Sequence, residues 1–148
     1  MPVDLGGLAL ALGVEVRILE LGDSLSGMLE NKGNDRFVIT ANAAHPQTRR
    51  RFTVAHELGH YMLHRHLIGK GVDDNKAYRS TIGGRYHNTD IGLKQETEAN
   101  KFAANILMPY PLLREQREIH GDDAKELAGV FNVSEHSMCI RLGKKYKS

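Results

Sequence analysis

Cysteine, long apolar runs and an excess of charge of either sign are all scarce in this sequence. The single cysteine among 148 residues, Cys139, excludes an intrachain disulfide framework and suits a reducing compartment. No apolar run is long enough to cross a bilayer, and the first residues include an acid, Asp4, where a signal peptide has a basic region. We therefore expect a cytoplasmic protein with no membrane segment.

The formal net charge of +2 is too small to indicate a nucleic-acid-binding protein on global grounds. With 41% hydrophobic residues in 148, the chain is long enough for one full core. No internal repeat or low-complexity segment is visible. We therefore expect one domain over residues 1–148. Its parts are a helix and small sheet (1–45), two long helices with a loop between them (46–110), and a helical end (111–148).

The apolar pattern predicts an α+β fold. Residues 14–21 have strand composition, and residues 26–30 and 36–40 flank the turn-rich, glycine-containing segment 31–35. We read these as a hairpin added to the first strand, which makes a small three-stranded antiparallel sheet. The predicted helices cover residues 3–12, 47–64, 94–108, 112–118, 122–131 and 134–142. Residues 66–93 form a long glycine-rich loop, which we call the flap because loops of this length are usually functional.

The helix predicted over 47–64 contains the pattern His56-Glu57-x-x-His60. In a helix, His56 and His60 lie one turn apart and project from the same face, so their imidazoles could supply half of a tetrahedral zinc site. Glu57 follows His56 directly and could reach a water on that ion as a general base without being a ligand. Apolar residues surround these three, which indicates a half-buried helix.

A catalytic zinc site needs a third protein ligand and an open position. Glu96 and Glu98 lie about 200° apart around a helix, so both cannot face one ion. The apolar face of the predicted helix includes Glu96, which we therefore predict as the ligand. Asn100, one turn later, would orient an imidazole or the carboxylate. Two imidazoles and one carboxylate suit zinc, although Mn²⁺ or Fe²⁺ could bind the same set.

Other polar residues have weaker assignments. His64 lies a further turn from His56, so we expect a packing or hydrogen-bonding role for it rather than metal ligation. The histidines of unrelated segments are expected at the surface: His45, His66, His120 and His136. The candidate donors to the oxyanion of a peptidase reaction, left unranked, are Tyr61, Tyr78, Arg79, Tyr86 and His87.

Two segments carry a family resemblance. Arg-Phe-Thr-Val-Ala-His-Glu-Leu-Gly-His at 51–60 resembles the ImmA/IrrE metallopeptidases, as does Glu-x-x-Ala-Asn-x-Phe-Ala-Ala-x-x-Leu-Met-Pro at 96–109. Residues 26–29 and 127–134 also resemble family segments, so the resemblance covers nearly the whole chain. It implies a gluzincin-like catalytic domain whose metal ligands are His56, His60 and Glu96 and whose general base is Glu57.

The resemblance also implies a substrate, a helix-turn-helix transcriptional repressor that is cut once to relieve repression in a stress response, mobile-element transfer or phage induction. Many relatives carry a DNA-binding domain before the peptidase. This sequence has none, so we expect the repressor to be a separate protein and expect no direct binding to nucleic acid.

Two alternatives remain open. The first is a non-catalytic module that binds a regulator, as an antitoxin does. The second is a DNA-binding regulator that uses the helices at 122–131 and 134–142. Against the second, Glu135, Met138 and Ile140 resemble packing residues more than residues that read bases.

Overall fold

A computed structural model describes residues 2–22, 24–75 and 90–145 of the chain. These residues contain six helices and a four-stranded sheet, which confirms the α+β class. The helices are α1 Leu5–Leu12, α2 Gln47–His64, α3 Leu93–Leu107, α4 Tyr110–His120, α5 Ala124–Phe131 and α6 Glu135–Leu142. The strands are β1 Val14–Leu19, β2 Leu25–Asn31, β3 Phe37–Asn42 and β4 Gly71–Asn75.

The sheet is mixed, and the prediction of three antiparallel strands was wrong. Its strand order is β1-β3-β2-β4. β2 and β3 form the expected antiparallel hairpin, but β1 pairs in parallel with β3. The hairpin partner β2 occupies one edge of β3, so β1 takes the other edge. Two successive reversals of the chain then make β1 and β3 run in the same direction.

The fourth strand lies inside the predicted flap. β4 has the sequence Gly-Val-Asp-Asp-Asn and pairs antiparallel with β2. Glycine, aspartate and asparagine are depleted in strands, so composition gave no strand signal here. The strand forms because the outer edge of β2 offers unpaired backbone groups. The helical piece predicted around residues 77–79 lies outside the described residues.

Helix α2 lies between the sheet and α3, and its middle is buried on every side from Thr53 to Tyr61. It is therefore more deeply buried than the half-buried helix that we expected. Gly59 allows the close approach of α3, since an added Cβ would lie 3.1 Å from the Cα of Ala99 and 3.2 Å from its carbonyl oxygen. This packing brings the middle of α2 against the first turns of α3.

The C-terminal helices begin at capping side chains. Asp123 accepts a hydrogen bond from the backbone N–H of Glu126 before α5, and Ser134 accepts one from Ser137 before α6, as predicted for Ser134. Arg51 of α2 joins these helices to the rest of the chain, because its Nε donates to the carbonyl oxygen of Asn132 at 3.2 Å. Among the described residues, no helix is both long and apolar enough to span a membrane.

Candidate metal centre

Two histidines of α2 and one glutamate of α3 meet in the interior. Nε2 of His56 lies 2.8 Å from Oε1 of Glu96, and Nε2 of His60 lies 3.0 Å from the same oxygen. All three side chains are buried. One potential ligand atom from each residue lies within 4.8 Å of the other two. The structure thus brings together the three residues that the sequence predicts as ligands.

Asn100 contacts the first of these histidines. Its Oδ1 lies 2.7 Å from Nδ1 of His56. An amide oxygen only accepts hydrogen bonds, so Nδ1 of His56 carries the proton and Nε2 presents a lone pair to Glu96. Asn100 therefore lies where a residue that orients His56 must lie.

These contacts fit a divalent cation. A lone pair of His56 Nε2 faces a carboxylate oxygen at 2.8 Å, and two such acceptors repel each other unless a positive charge lies with them. The second oxygen of Glu96, Oε2, is buried and has no hydrogen-bond partner among the described residues. Burial of an ionised carboxylate is costly without a compensating cation. A metal ion held by the three residues removes both costs.

His64 and Glu98 continue the cluster outward from His60. Nδ1 of His64 lies 2.9 Å from Nδ1 of His60, and Nε2 of His64 lies 2.9 Å from Oε1 of Glu98. Burial lowers the pKa of His64, and the hydrogen bond to Glu98 acts in the opposite direction. The same hydrogen bond lowers the pKa of Glu98. His64 thus has the hydrogen-bonding role expected of it, and Glu98 contacts His64 rather than the three converging atoms.

A cleft of about 870 Å³ opens beside this cluster. His56, Glu57 and Asn100 line it, together with Ser26 of β2 and several residues of α6. Glu57 is fully buried and is the only acidic residue among the described residues that line the cleft. The cationic residues that line it are Arg49, Lys101 and Arg141. A peptide segment in this cleft would therefore lie next to the carboxylate of Glu57 and to one candidate metal ligand, His56.

Helix α6 forms one wall of the cleft, which the sequence did not reveal. Ile140 was predicted as a packing residue, but it is 69% exposed and lines the cleft. Met138, on the opposite face, is buried as expected, and so is Cys139. Sequence motifs for catalytic and metal-binding residues do not show which other residues line a cleft. The role of α6 as a wall depends only on where this helix packs.

Two further predictions were wrong. His45 was expected at the surface but is buried next to the start of α2, where its carbonyl oxygen accepts a hydrogen bond from Arg50. Tyr61 was a candidate oxyanion donor, but its hydroxyl donates to the carbonyl oxygen of Leu12 and its ring packs edge-on against Phe37. Its hydroxyl is therefore engaged away from the cleft.

The other surface histidines and oxyanion donors have different outcomes. His66 and His136 are exposed as predicted, and His120 is half-buried with its Nδ1 2.8 Å from Oε1 of Glu126. The remaining candidate oxyanion donors lie outside the described residues: Tyr78, Arg79, Tyr86 and His87.

Comparison with known proteins gives consistent matches. A family model, Peptidase_M78, described as the IrrE N-terminal-like domain, matches residues 9–143. The radiation response metalloprotease IrrE of Deinococcus radiodurans is 34% identical over 130 residues, which cover 88% of this chain and 36% of that protein. The metallopeptidase ImmA of Bacillus subtilis is 30% identical over 118 residues, which cover 77% of this chain and 60% of that protein. The chain thus spans about a third to three fifths of the length of these relatives.

A solved structure shares the fold. A chain described as a Mycobacterium tuberculosis transcriptional regulator superposes with a TM-score of 0.63 at 21% identity, over 97% of this chain and 41% of that one. At this identity the likeness shows the fold alone. The family model and the two relatives carry the assignment, and the chain belongs to the IrrE N-terminal-like domain family, Peptidase_M78.

Proposed function

We propose that this chain is a metal-dependent endopeptidase that cleaves a protein partner. The observation that carries the proposal is the convergence of His56, His60 and Glu96 on one point, next to Glu57 in the wall of an open cleft. The metallopeptidase names of IrrE and ImmA support it. We further propose a gluzincin-like arrangement and a single domain over residues 1–148.

In this proposal His56, His60 and Glu96 hold the cation, and zinc suits them best, although Mn²⁺ and Fe²⁺ accept the same ligands. A divalent cation at this position supplies Lewis acidity to water and to a substrate carbonyl. Glu57 takes the proton of the attacking water and returns it to the leaving amine. The oxyanion donor is proposed among Tyr78, Tyr86 and His87.

We propose that the substrate is a separate helix-turn-helix transcriptional repressor in the cytoplasm, whose cleavage relieves repression. The resemblance to the ImmA/IrrE peptidases supports this identity, and the name of one relative, the radiation response metalloprotease IrrE, supports a role in a stress response. The cleft has room for an extended peptide segment between α2 and α6. We propose no direct contact with nucleic acid.

Co-expression with a helix-turn-helix regulator from the same genome tests the proposal. The wild-type chain is expected to yield two fragments, whose masses identify one cut. Glu57→Gln keeps the size of the side chain but removes its basicity, so cleavage should fall by about 10²- to 10⁴-fold while partner and metal binding remain. The metal content of both proteins is the control.

The outcomes separate the alternatives. Equal cleavage by the wild type and Glu57→Gln would contradict the assigned base. Binding of the regulator without cleavage by the metal-loaded wild type would favour the non-catalytic binding module. A DNA-binding regulator would instead shift operator DNA in a gel, with an affinity that falls steeply with salt concentration.

A further inference from the structure

Glu98 and His64 form a chain of contacts that ends on a candidate ligand. Glu98 is a surface carboxylate whose side chain is 45% exposed, whereas those of His64 and His60 are almost fully buried. The two steps of the chain, Glu98 Oε1 to His64 Nε2 and His64 Nδ1 to His60 Nδ1, are both 2.9 Å long. This series of contacts therefore connects the protein surface to the buried candidate metal centre.

With both histidines neutral and a cation between Nε2 of His60 and Glu96, these contacts allow one arrangement of protons. A carboxylate accepts hydrogen bonds, so Nε2 of a neutral His64 must donate to Glu98 and its Nδ1 must carry a lone pair. The lone pair can only accept, so Nδ1 of His60 must donate to it. Nε2 of His60 is then left with a lone pair, which faces Glu96 at 3.0 Å. That nitrogen is the one a metal ion needs.

We propose that Glu98 and His64 act as positioning residues that hold His60 in the tautomer with its proton on Nδ1, so that its Nε2 can ligate the cation. The proposal rests on the proposed metal centre. Asn100 does the same for His56 through one direct contact, whereas His60 is controlled from the surface through two. Each imidazole thus has its own hydrogen-bond partner at Nδ1, which leaves its Nε2 facing Glu96.

Measurement of Zn²⁺ affinity, by competition with a chromophoric chelator, tests the proposal. Glu98→Ala removes the acceptor at the end of the chain and is expected to weaken Zn²⁺ binding about 10- to 100-fold. Glu98→Gln keeps an oxygen that can accept, so its affinity should stay within about threefold of the wild type. If Glu98 acted only through its negative charge, Glu98→Gln and Glu98→Ala would bind Zn²⁺ equally weakly. This result would overturn the proposal.

A second variant tests the relay through the middle residue. In His64→Asn, the amide oxygen takes nearly the place of imidazole Nδ1 and accepts from His60 without help from Glu98. Zn²⁺ affinity should therefore be largely retained, and adding Glu98→Ala to His64→Asn should change it by less than about twofold. An equal loss from Glu98→Ala in both backgrounds would show that Glu98 does not act through His64.

The matched control is a second glutamate–histidine pair, Glu126 with His120, which lies outside the centre. Glu126→Ala removes the same kind of contact and should leave Zn²⁺ affinity unchanged. Thermal unfolding of each metal-free variant shows that it is folded.

Nitrogen-15 NMR of the imidazole rings separates failure of this inference from failure of the proposed centre. In the Zn²⁺-loaded wild type, His64 should carry its proton on Nε2 and His60 on Nδ1. A proton on Nδ1 of His64 would overturn the proposal even if Zn²⁺ binds. Absence of Zn²⁺ binding, with the proton of His64 still on Nε2, would instead refute the metal centre and leave the contact between Glu98 and His64 intact.

Discussion

Replacement of Gly59 by alanine tests whether the close packing of α2 against α3 holds the three ligands together. The new Cβ would lie 3.1 Å from Cα of Ala99 and 3.2 Å from both its carbonyl oxygen and Cβ of Phe102. Two of these atoms belong to the backbone of α3, so relief requires a shift of the helix itself. The helices must separate by about 0.3 Å to reach ordinary contact.

A separation of this size matters to a metal site, because ligand distances are held within about 0.2 Å. We expect Gly59→Ala to weaken Zn²⁺ binding on the order of tenfold in a chelator competition assay. Its effect on folding should be smaller, because alanine is favoured over glycine in a helix by about 0.5–1 kcal/mol, which offsets part of the steric strain.

Gly129 of α5 provides the matched control, since an added Cβ there meets no atom within 4 Å. Gly129→Ala should stabilise the protein by about 0.5–1 kcal/mol through helix propensity alone and leave Zn²⁺ affinity unchanged. If Gly59→Ala behaves like this control in both chemical denaturation and metal titration, the idea that α2–α3 packing sets the ligand geometry is refuted.

Three further predictions concern the centre and its support. In differential scanning calorimetry, Zn²⁺ at a hundred times its dissociation constant should stabilise the wild type by about 2.7 kcal/mol, and Glu96→Gln should lack this gain; a gain that persists would exclude Glu96 as a ligand. Asn100→Leu should lower Zn²⁺ affinity about 10- to 100-fold, whereas Asn100→Asp, which retains an accepting oxygen, should bind more tightly than the leucine variant. Arg51→Met removes the charged donors to the carbonyl oxygens of Asn132 and Val3. It should lower the free energy of unfolding, measured by urea titration, by about 2 kcal/mol. The affinity of the folded protein for Zn²⁺ should not change.

Within single elements, the sequence was a good guide. The spacing of His56 and His60 is one helical turn, so their common face followed from helix geometry alone. The choice of Glu96 over Glu98 followed from the apolar stripe of α3, and Glu96 is buried while Glu98 contacts solvent and His64. Ser134 was recognisable as a cap because capping depends on a side chain and the backbone of the next turn.

Contacts between elements could not be predicted in this way. The strand β4 has poor strand composition and forms because β2 offers an edge, and the parallel pairing of β1 depends on which edge of β3 the hairpin leaves open. The close contact between Gly59 and the backbone of α3 is visible only once the two helices are packed together.

The sequence by itself therefore determined the candidate site residues of this protein: the two imidazoles, the carboxylates and the helices that present them, because these follow from periodicity along one chain segment. Only the tertiary structure decided how Glu98 reaches His60 through His64, and that α6 forms a wall of the cleft with Ile140. The physical reason is that side-chain direction within a helix is set locally, whereas the meeting of two elements is set by long-range packing.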